Sequence, residues 1–189
     1  LIQLADGSAH VYGHNENARL QHRQGASTWV AEWFLEESVA ANGEHVLYEY
    51  LSENDKSLNT LTGPTAVAWQ GRDSSTHRYL QRARYGNLTG DRVPYVLQQT
   101  VVPEWLFDLV FDYGEADTRL TTTPLYPRTP GSEWPLRADP TSNYRYGFEE
   151  RTLRLCHQVL MFHWCADGPG NSGPVLLQDE PVLVQRLQL

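Results

Sequence analysis

The stretch Gly147 to Cys165, GFEERTLRLCHQVLMFHWC, sets Glu149, Glu150, Arg151, Arg154, Cys156, His157, His163 and Cys165 among apolar residues. Two thiols and two imidazoles are the donor types of a structural zinc site. Such a site needs four ligands in a tetrahedron, each about 2.0–2.3 Å from the metal. On an extended strand His157 and His163 stand about 20 Å apart, and Cys156 and Cys165 project from opposite faces. On a helix, an offset of six residues does not share a face. No C-x-x-C or H-x-x-x-H pair occurs here. The expectation is a core cysteine and strand histidines, with no metal ligands and no disulfide unless a turn intervenes.

Three other constellations invite chemistry. GPGNSGP around Ser172 is similar to the nucleophile loop of trypsin-like proteases, but one glycine is missing and only 17 residues follow it. A Gly/Asn/Ser/Pro turn is the expected use. Glu36/Glu37 and Asp108/Asp112 are paired carboxylates of the kind glycosidases place about 5–9.5 Å apart. At strand rise Asp108 and Asp112 are about 13 Å apart on one face, and adjacent Glu36 and Glu37 point to opposite faces. Solvated or loop-capping carboxylates are expected. Six Trp and ten Tyr could form a carbohydrate platform, but on strands such rings more often fill cores and cross-strand pairs. Asn87-Leu88-Thr89 matches a glycosylation acceptor, a short pattern that arises readily by chance.

The elements that must position these residues follow a period of two. EWLFDLVFDYG puts Trp105, Phe107, Leu109, Phe111 and Tyr113 on one face, with Leu106, Asp108, Val110 and Asp112 on the other. HVLYEYL and STWVAEWFLEES repeat the alternation, and NGE at 42–44 between them reads as a hairpin turn. TAVAWQ (65–70), HRYLQRARYG (77–86), YVLQQTVV (95–102) and PVLVQRLQL (181–189) are further candidate strands. For the 147–165 stretch, periodicity does not separate helix from strand. Its surroundings favour one long strand, apolar on both faces from Leu153 to Phe162. Many short strands without a crossover helix predict a single all-β domain, residues 1–189, mainly antiparallel, as a β-sandwich or strongly curved sheet.

Bulk properties exclude several classes. The 189 residues carry a net charge of -8, and Lys56 is the only lysine among fifteen basic residues. Such a chain is not a general nucleic-acid or anionic-membrane binder. No apolar run approaches the ~20 residues of a membrane span, so membrane insertion is not expected. Two cysteines are too few for a disulfide scaffold. The chain begins at Leu1 without Met and reads as a piece of a longer protein.

HVYGHNENARL, AEWFLEESVAANGEHVLYEYLSEND, HRYLQRARYGN, WLFDLVFDYGE, WPLRADPTSNYRYGFEERTLRLCHQVLMFH and VLVQRLQL occur in this order. The series resembles the N-terminal region of the SpvB-like family, which includes the B component of insecticidal toxin complexes (TcaC/TcdB-like). Arg137 to His163 is its most specific part, and Phe111 to Glu115 the next. The resemblance implies a non-catalytic structural segment of a secreted virulence protein or toxin-complex B component. That segment would contribute to a β-rich shell that houses or delivers a toxic effector. The implied partners are other domains of the same polypeptide and the toxin-complex A and C components. In SpvB the family's enzyme is a separate C-terminal ADP-ribosyltransferase domain whose signature needs E-x-E, and no E-x-E occurs in this chain. No catalytic, cofactor-binding or metal residue is therefore carried over, and no cofactor is implied. A carbohydrate-binding β-sandwich is the alternative. It requires at least two exposed coplanar aromatics beside polar side chains.

Overall fold

The computed structural model of the chain describes residues 1–54, 58, 76–99, 104–115, 134–165 and 177–189. The strands, in chain order, are β1 (Ile2–Gln3), β2 (Ala9–Tyr12), β3 (Arg19–Gln24), β4 (Ser27–Trp33), β5 (Leu35–Val39), β6 (His45–Ser52), β7 (Arg78–Asn87), β8 (Trp105–Asp112), β9 (Thr141–Asn143), β10 (Glu150–Thr152), β11 (Gln158–Cys165) and β12 (Leu177–Gln188). Eight strands form one sheet in the order β1-β2-β5-β6-β7-β8-β11-β12. Each neighbouring pair is antiparallel. The sheet is thus a meander interrupted by two small antiparallel ribbons, β3–β4 and β9–β10. The chain adopts the all-β, antiparallel class expected from its sequence.

The turn at 42–44 joins β5 to β6 as expected. Ala40 N–H donates to Glu44 O at 2.8 Å and Gly43 N–H to Ala40 O at 2.9 Å. Gly43 sits at φ +88°, and a Cβ there would lie 2.9 Å from the Asp91 backbone nitrogen. Only glycine meets both demands.

Three expected strands differ. STWVAEWFLEES is not one strand: it divides into β4 and β5 at Phe34. There the backbone bonds elsewhere, with Phe34 N–H donating to Ala18 O and Phe34 O accepting from Gly13 N–H. Alternation in side chains does not register such a switch of backbone partners. YVLQQTVV begins with a 3-10 turn, Val96–Gln98, and not with a strand. The third, 147–165, divides into β10 and β11. Between them Leu153 and Arg154 N–H groups donate to the Tyr79 hydroxyl (2.9 and 3.3 Å), Arg137 N–H donates to Leu153 O, and His157 N–H to Asp112 O. Side-chain and loop partners replace the ladder, so the backbone leaves the sheet with its polar groups satisfied. TAVAWQ lies outside the described residues.

Register shows how the central strands use their two faces. Leu47, Arg84, Asp108 and Phe162 form one cross-strand row, and Glu49, Arg82, Val110 and Leu160 the next. Leu47, Val110, Leu160, Asp108 and Phe162 on this face are all buried, with Leu160 fully so. Each such aliphatic side chain contributes about 1.5–3 kcal/mol by leaving water. The opposite row of Val46, Tyr85, Phe107 and His163 is only half-buried. Its rings interlock, with Tyr85 stacked on Phe107 at 5.0 Å and Phe107 edge-on to His163 at 4.8 Å.

Candidate functional site

A buried, charged cluster among the described residues is built by segments far apart in sequence. Glu53 follows β6, Tyr79 lies near the start of β7, Trp134 precedes the β9–β10 ribbon, and Arg154 lies between β10 and β11. Arg154 Nε donates to Glu53 Oε2 at 2.9 Å and Nη2 to Glu53 Oε1 at 2.6 Å, a bidentate pair. Arg154 Nη1 donates to Trp134 O at 2.5 Å, and the guanidinium lies 5.0 Å from the Trp134 ring centroid. The Tyr79 hydroxyl donates to Glu53 Oε2 at 3.2 Å while accepting from Leu153 and Arg154. Trp134 Nε1 donates to Asn54 Oδ1 at 3.0 Å. Glu53 and Arg154 are each 2% exposed. Burial, reinforced by the Glu53 charge, pushes the Tyr79 hydroxyl pKa well up, so it stays neutral. Burial likewise raises Tyr113, which packs edge-on to Tyr79 and Trp134. The surrounding donors and acceptors hold both charges and neutralise each other. This arrangement locks segments together.

The rest of the Glu149–Arg154 cluster behaves similarly. Arg151, fully buried, pairs with Glu149 at 2.9 Å. His77 Nδ1 lies 3.0 Å from Glu150. Burial lowers the His77 pKa and outweighs the raising effect of Glu150. Ion pairing to a neighbouring strand is what the Arg/Glu-rich entry to this stretch suggests. Its main partner, Glu53, is 101 residues away, and no local spacing signals it.

The paired carboxylates are buried, not solvated, and they cap backbone. Glu36 accepts from His14 N–H (2.7 Å), Asn15 N–H (3.0 Å) and the Asn15 side-chain amide. Glu37 accepts from Tyr95 N–H at 2.7 Å and Val96 N–H at 3.2 Å, and lies 2.8 Å from His45 Nδ1. A bulge between β2 and β5 pairs Val11 with Glu37 and Tyr12 with Leu35, leaving Glu36 as the extra residue. That bulge cancels the strict alternation of faces, and both carboxylates line one cavity of about 140 Å³.

Asp108 and Asp112 face the covered side of β8, at 4% and 2% exposure. Asp108 accepts from Trp164 Nε1 at 3.0 Å and lies 3.8 Å from Arg84. Asp112 caps the turn that follows, accepting from Gly114 N–H (2.9 Å), Glu115 N–H (3.0 Å) and the Gln158 side chain (2.5 Å). Burial, then the neighbouring Asp112, pushes the Glu115 carboxyl up to about 7. Gly114 holds φ +103°, where a Cβ would fall 2.5 Å from Pro135 Cγ. The Phe111–Glu115 fingerprint is therefore a packed turn.

The remaining candidates disperse. Cys156 packs against Tyr79, Tyr113 and Trp134, and burial raises its thiol pKa. His157 bonds through its backbone to Asp112, while His163 lies against Phe107 on β11. The side chain of Cys165, and Ser172 with its loop, lie outside the described residues. Among the described residues no group of three or more His, Cys, Asp or Glu could hold a metal ion. No helix among them is long and apolar enough to cross a membrane. The side-chain amide of Asn87 donates to Gly43 O (3.0 Å) and Thr89 O (2.8 Å), and its oxygen accepts from His45 N–H, so that amide is occupied inside a turn. Trp105 and Trp134 are buried, whereas Trp29 and Trp33 on the β3–β4 ribbon are 52% and 56% exposed.

An open cleft, which no sequence motif announces, lies between the 3-10 turn Glu16–Ala18 and strands β6 and β7. It encloses about 480 Å³ and is lined by Asn15, Asn17, Glu36, Tyr48, Tyr50 and Gln81, among others. A second hollow of about 200 Å³ shares Glu16 and Asn17 with it and adds Gln21, Ser52 and Arg78. Gln81 reaches the cleft because a bulge opposite Glu49 and Tyr50 leaves it as the extra residue of β7.

Comparison with known proteins accounts for this architecture. The family described as Salmonella virulence plasmid 65kDa B protein matches residues 1–165. The mono(ADP-ribosyl)transferase SpvB of Salmonella typhimurium is 43% identical over 173 residues, covering 91% of this chain and 28% of that protein. Its counterpart in Salmonella enteritidis is 40% identical over 192 residues, covering 98% of this chain and 31% of that protein. The chain thus spans less than a third of the length of these curated relatives. The solved N-terminal domain of effector protein SpvB from Salmonella typhimurium strain LT2 is 38% identical with a TM-score of 0.72, over 98% of this chain and 59% of that one. A chain of the Photorhabdus luminescens Tc holotoxin pore is 36% identical with a TM-score of 0.76, over 97% of this chain and 8% of that one. TcdB2–TccC3 matches equally broadly, at 36% identity and a TM-score of 0.75. The chain is an SpvB-like N-terminal domain related to Tc toxin components, and it belongs to the SpvB family.

Proposed function

We propose that residues 1–189 act as one non-catalytic structural domain of an SpvB-like virulence protein or toxin-complex B component. The domain contributes to a β-rich shell that houses or delivers a toxic effector. Its partners are the rest of its own polypeptide and the toxin-complex A and C components, and it acts after secretion. The observation that carries the reading is β12. This twelve-residue strand closes the end of the sheet, and Val182, Val184 and Leu187 on it are 48%, 43% and 57% exposed. Exposed apolar side chains on an end strand favour cover by another surface, and a shell segment has a neighbour to supply it. The buried ion pairs described above support the same reading, since they hold charge without exposing a reactive group.

The test is a paired substitution, Val182→Asp with Val184→Asp, in the full-length protein. Elution with the A and C components falls, and thermolysin cleaves faster within 177–189. Unchanged assembly and unchanged proteolysis in this region overturn the proposal.

A further inference from the structure

Residues 88–99, which follow β7, are fastened to the β5–β6 hairpin as a strap. Asp91 N–H donates to Gly43 O at 3.1 Å, and the Tyr95 and Val96 N–H groups donate to Glu37. Val96 packs with Leu47 and Trp105 in one buried cluster. Tyr95 holds φ +66°, a left-handed conformation that a residue other than glycine keeps only where surrounding bonds impose it. The hollow of about 140 Å³ is lined by Glu36, Glu37 and Leu47 from the hairpin and by Tyr95 and Gln98 from the strap.

His45, 1% exposed, bonds to both parts. Its Nδ1 lies 2.8 Å from Glu37 Oε1, and its Nε2 lies 2.5 Å from Asp91 O. Asp91 O is a carbonyl and can only accept. Glu37 accepts from two backbone N–H groups, which holds it as a carboxylate. A neutral imidazole has one N–H and one bare nitrogen. In either tautomer its bare nitrogen would face an acceptor in a site closed to water, which is costly. Only the doubly protonated ring donates to both partners. The other charged groups around it are occupied or exposed. Glu36 on β5 accepts from the His14 and Asn15 N–H groups, and the Asp91 carboxylate accepts from Val93 N–H at 3.0 Å. Glu44 in the turn and Arg92 in the strap are exposed, and the His14 ring lies against Tyr95 at 4.8 Å.

We infer that His45 is an imidazolium whenever the strap is docked, so that docking takes up one proton and the strap loosens as pH rises. Without that proton the ring gives up either Glu37 or Asp91 O. Release of the strap opens the hollow and bares Leu47 and Trp105. The device is independent of the scaffold role, since it concerns one loop and not the contacts of β12.

The test is thermolysin cleavage of the full-length protein at Leu88 and Val93, which are 41% and 56% exposed in the strap. Cutting is followed between about pH 6 and 9 and normalised to the urea-unfolded chain at each pH. In the parent protein it rises about tenfold or more, one proton allowing at most about tenfold per pH unit. Glu37→Gln removes the need for the proton. Its amide oxygen still accepts from Tyr95 and Val96, while its N–H donates to a bare Nδ1 and leaves Nε2–H for Asp91 O. In this variant the strap stays closed and cutting is flat over the same range. A flat profile in the parent overturns the proposal. So does an equal rise in Glu37→Gln, which places the proton elsewhere. Solid-state 15N spectra of the histidine-labelled parent at about pH 6 decide the matter even if Glu37→Gln fails to fold. The buried ring is assigned by its slow exchange with solvent. Two protonated nitrogens on it support the inference, and one bare nitrogen overturns it.

Discussion

Replacing Arg154 by Met tests the buried centre most directly. The substitution keeps the aliphatic bulk but removes two donors to Glu53, Nε and Nη2, and one to the Trp134 carbonyl. It takes the guanidinium away from a carboxylate that is 2% exposed and that also accepts from the Tyr79 hydroxyl and from Asn54 N–H. Breaking a buried pair from one side costs about 3–5 kcal/mol. A domain of this size has about 5–15 kcal/mol in total, and each kcal/mol moves the midpoint by about 2–4 °C. Arg154→Met should therefore lower the unfolding temperature of this domain by about 10 °C. Glu53→Leu combined with Arg154→Met removes both charges and should recover most of the loss, because charge burial is then no longer required. The assay is calorimetry on the full-length protein, with hydrogen exchange at the Leu153 amide as a local probe, since that amide donates to the Tyr79 hydroxyl. A loss below about 1 kcal/mol for Arg154→Met, or a double variant as unstable as the two singles added together, would refute the view that this pair locks the segments.

Two further outcomes concern ionisation. Glu115 has a folded pKa of about 7 against an ordinary 4.5, so its neutral form is favoured in the folded chain. Its contribution to stability is complete below pH 4.5 and disappears as pH rises through 7. Glu115→Gln should be neutral below pH 4.5 and stabilising above pH 7, by about 1 kcal/mol after allowance for its partial contact with water. Denaturant midpoints measured at pH 4 and pH 8 check this, and equal effects at both would count against it. Burial raises the Cys156 thiol pKa, so iodoacetamide should label Cys156 far more slowly in the native protein than in urea at pH 8. Peptide mapping by mass spectrometry separates it from Cys165, and equal rates would contradict the packing against Tyr113 and Trp134.

Much of the fold was legible because its signals are local. The period-two run around β8, the Gly43 turn and the aromatic pairing all depend on neighbours in sequence or on one hairpin. The missed breaks at Phe34 and at 153–157 have a different cause. At both, the backbone exchanges ladder bonds for bonds to a distant carbonyl or to the Tyr79 hydroxyl, and side-chain alternation carries no trace of that exchange. The bulge at Glu36 likewise defeated the expectation of opposite faces, since one extra residue inverts the alternation. The family stretches located the Glu149–Arg154 cluster, but its partner Glu53 is set by topology. The cleft was invisible in the sequence because Asn17, Tyr48 and Gln81 belong to three segments, and each alone reads as an ordinary surface residue.

The order of the main sheet also bears on how the chain acquires its structure. Most of its strands join a neighbour made shortly before, so pairing can advance with synthesis at a modest loop-closure cost. The Arg154–Glu53 bond cannot form in that way: 101 residues separate its partners, and the guanidinium is made long after β6 has paired. Until then Glu53 lacks the guanidinium that pairs with it bidentately at a site that ends almost dry, and burying that carboxylate early is disfavoured. The pair therefore ties the first third of the chain to its last third, a link available only after the chain through Arg154 has been made.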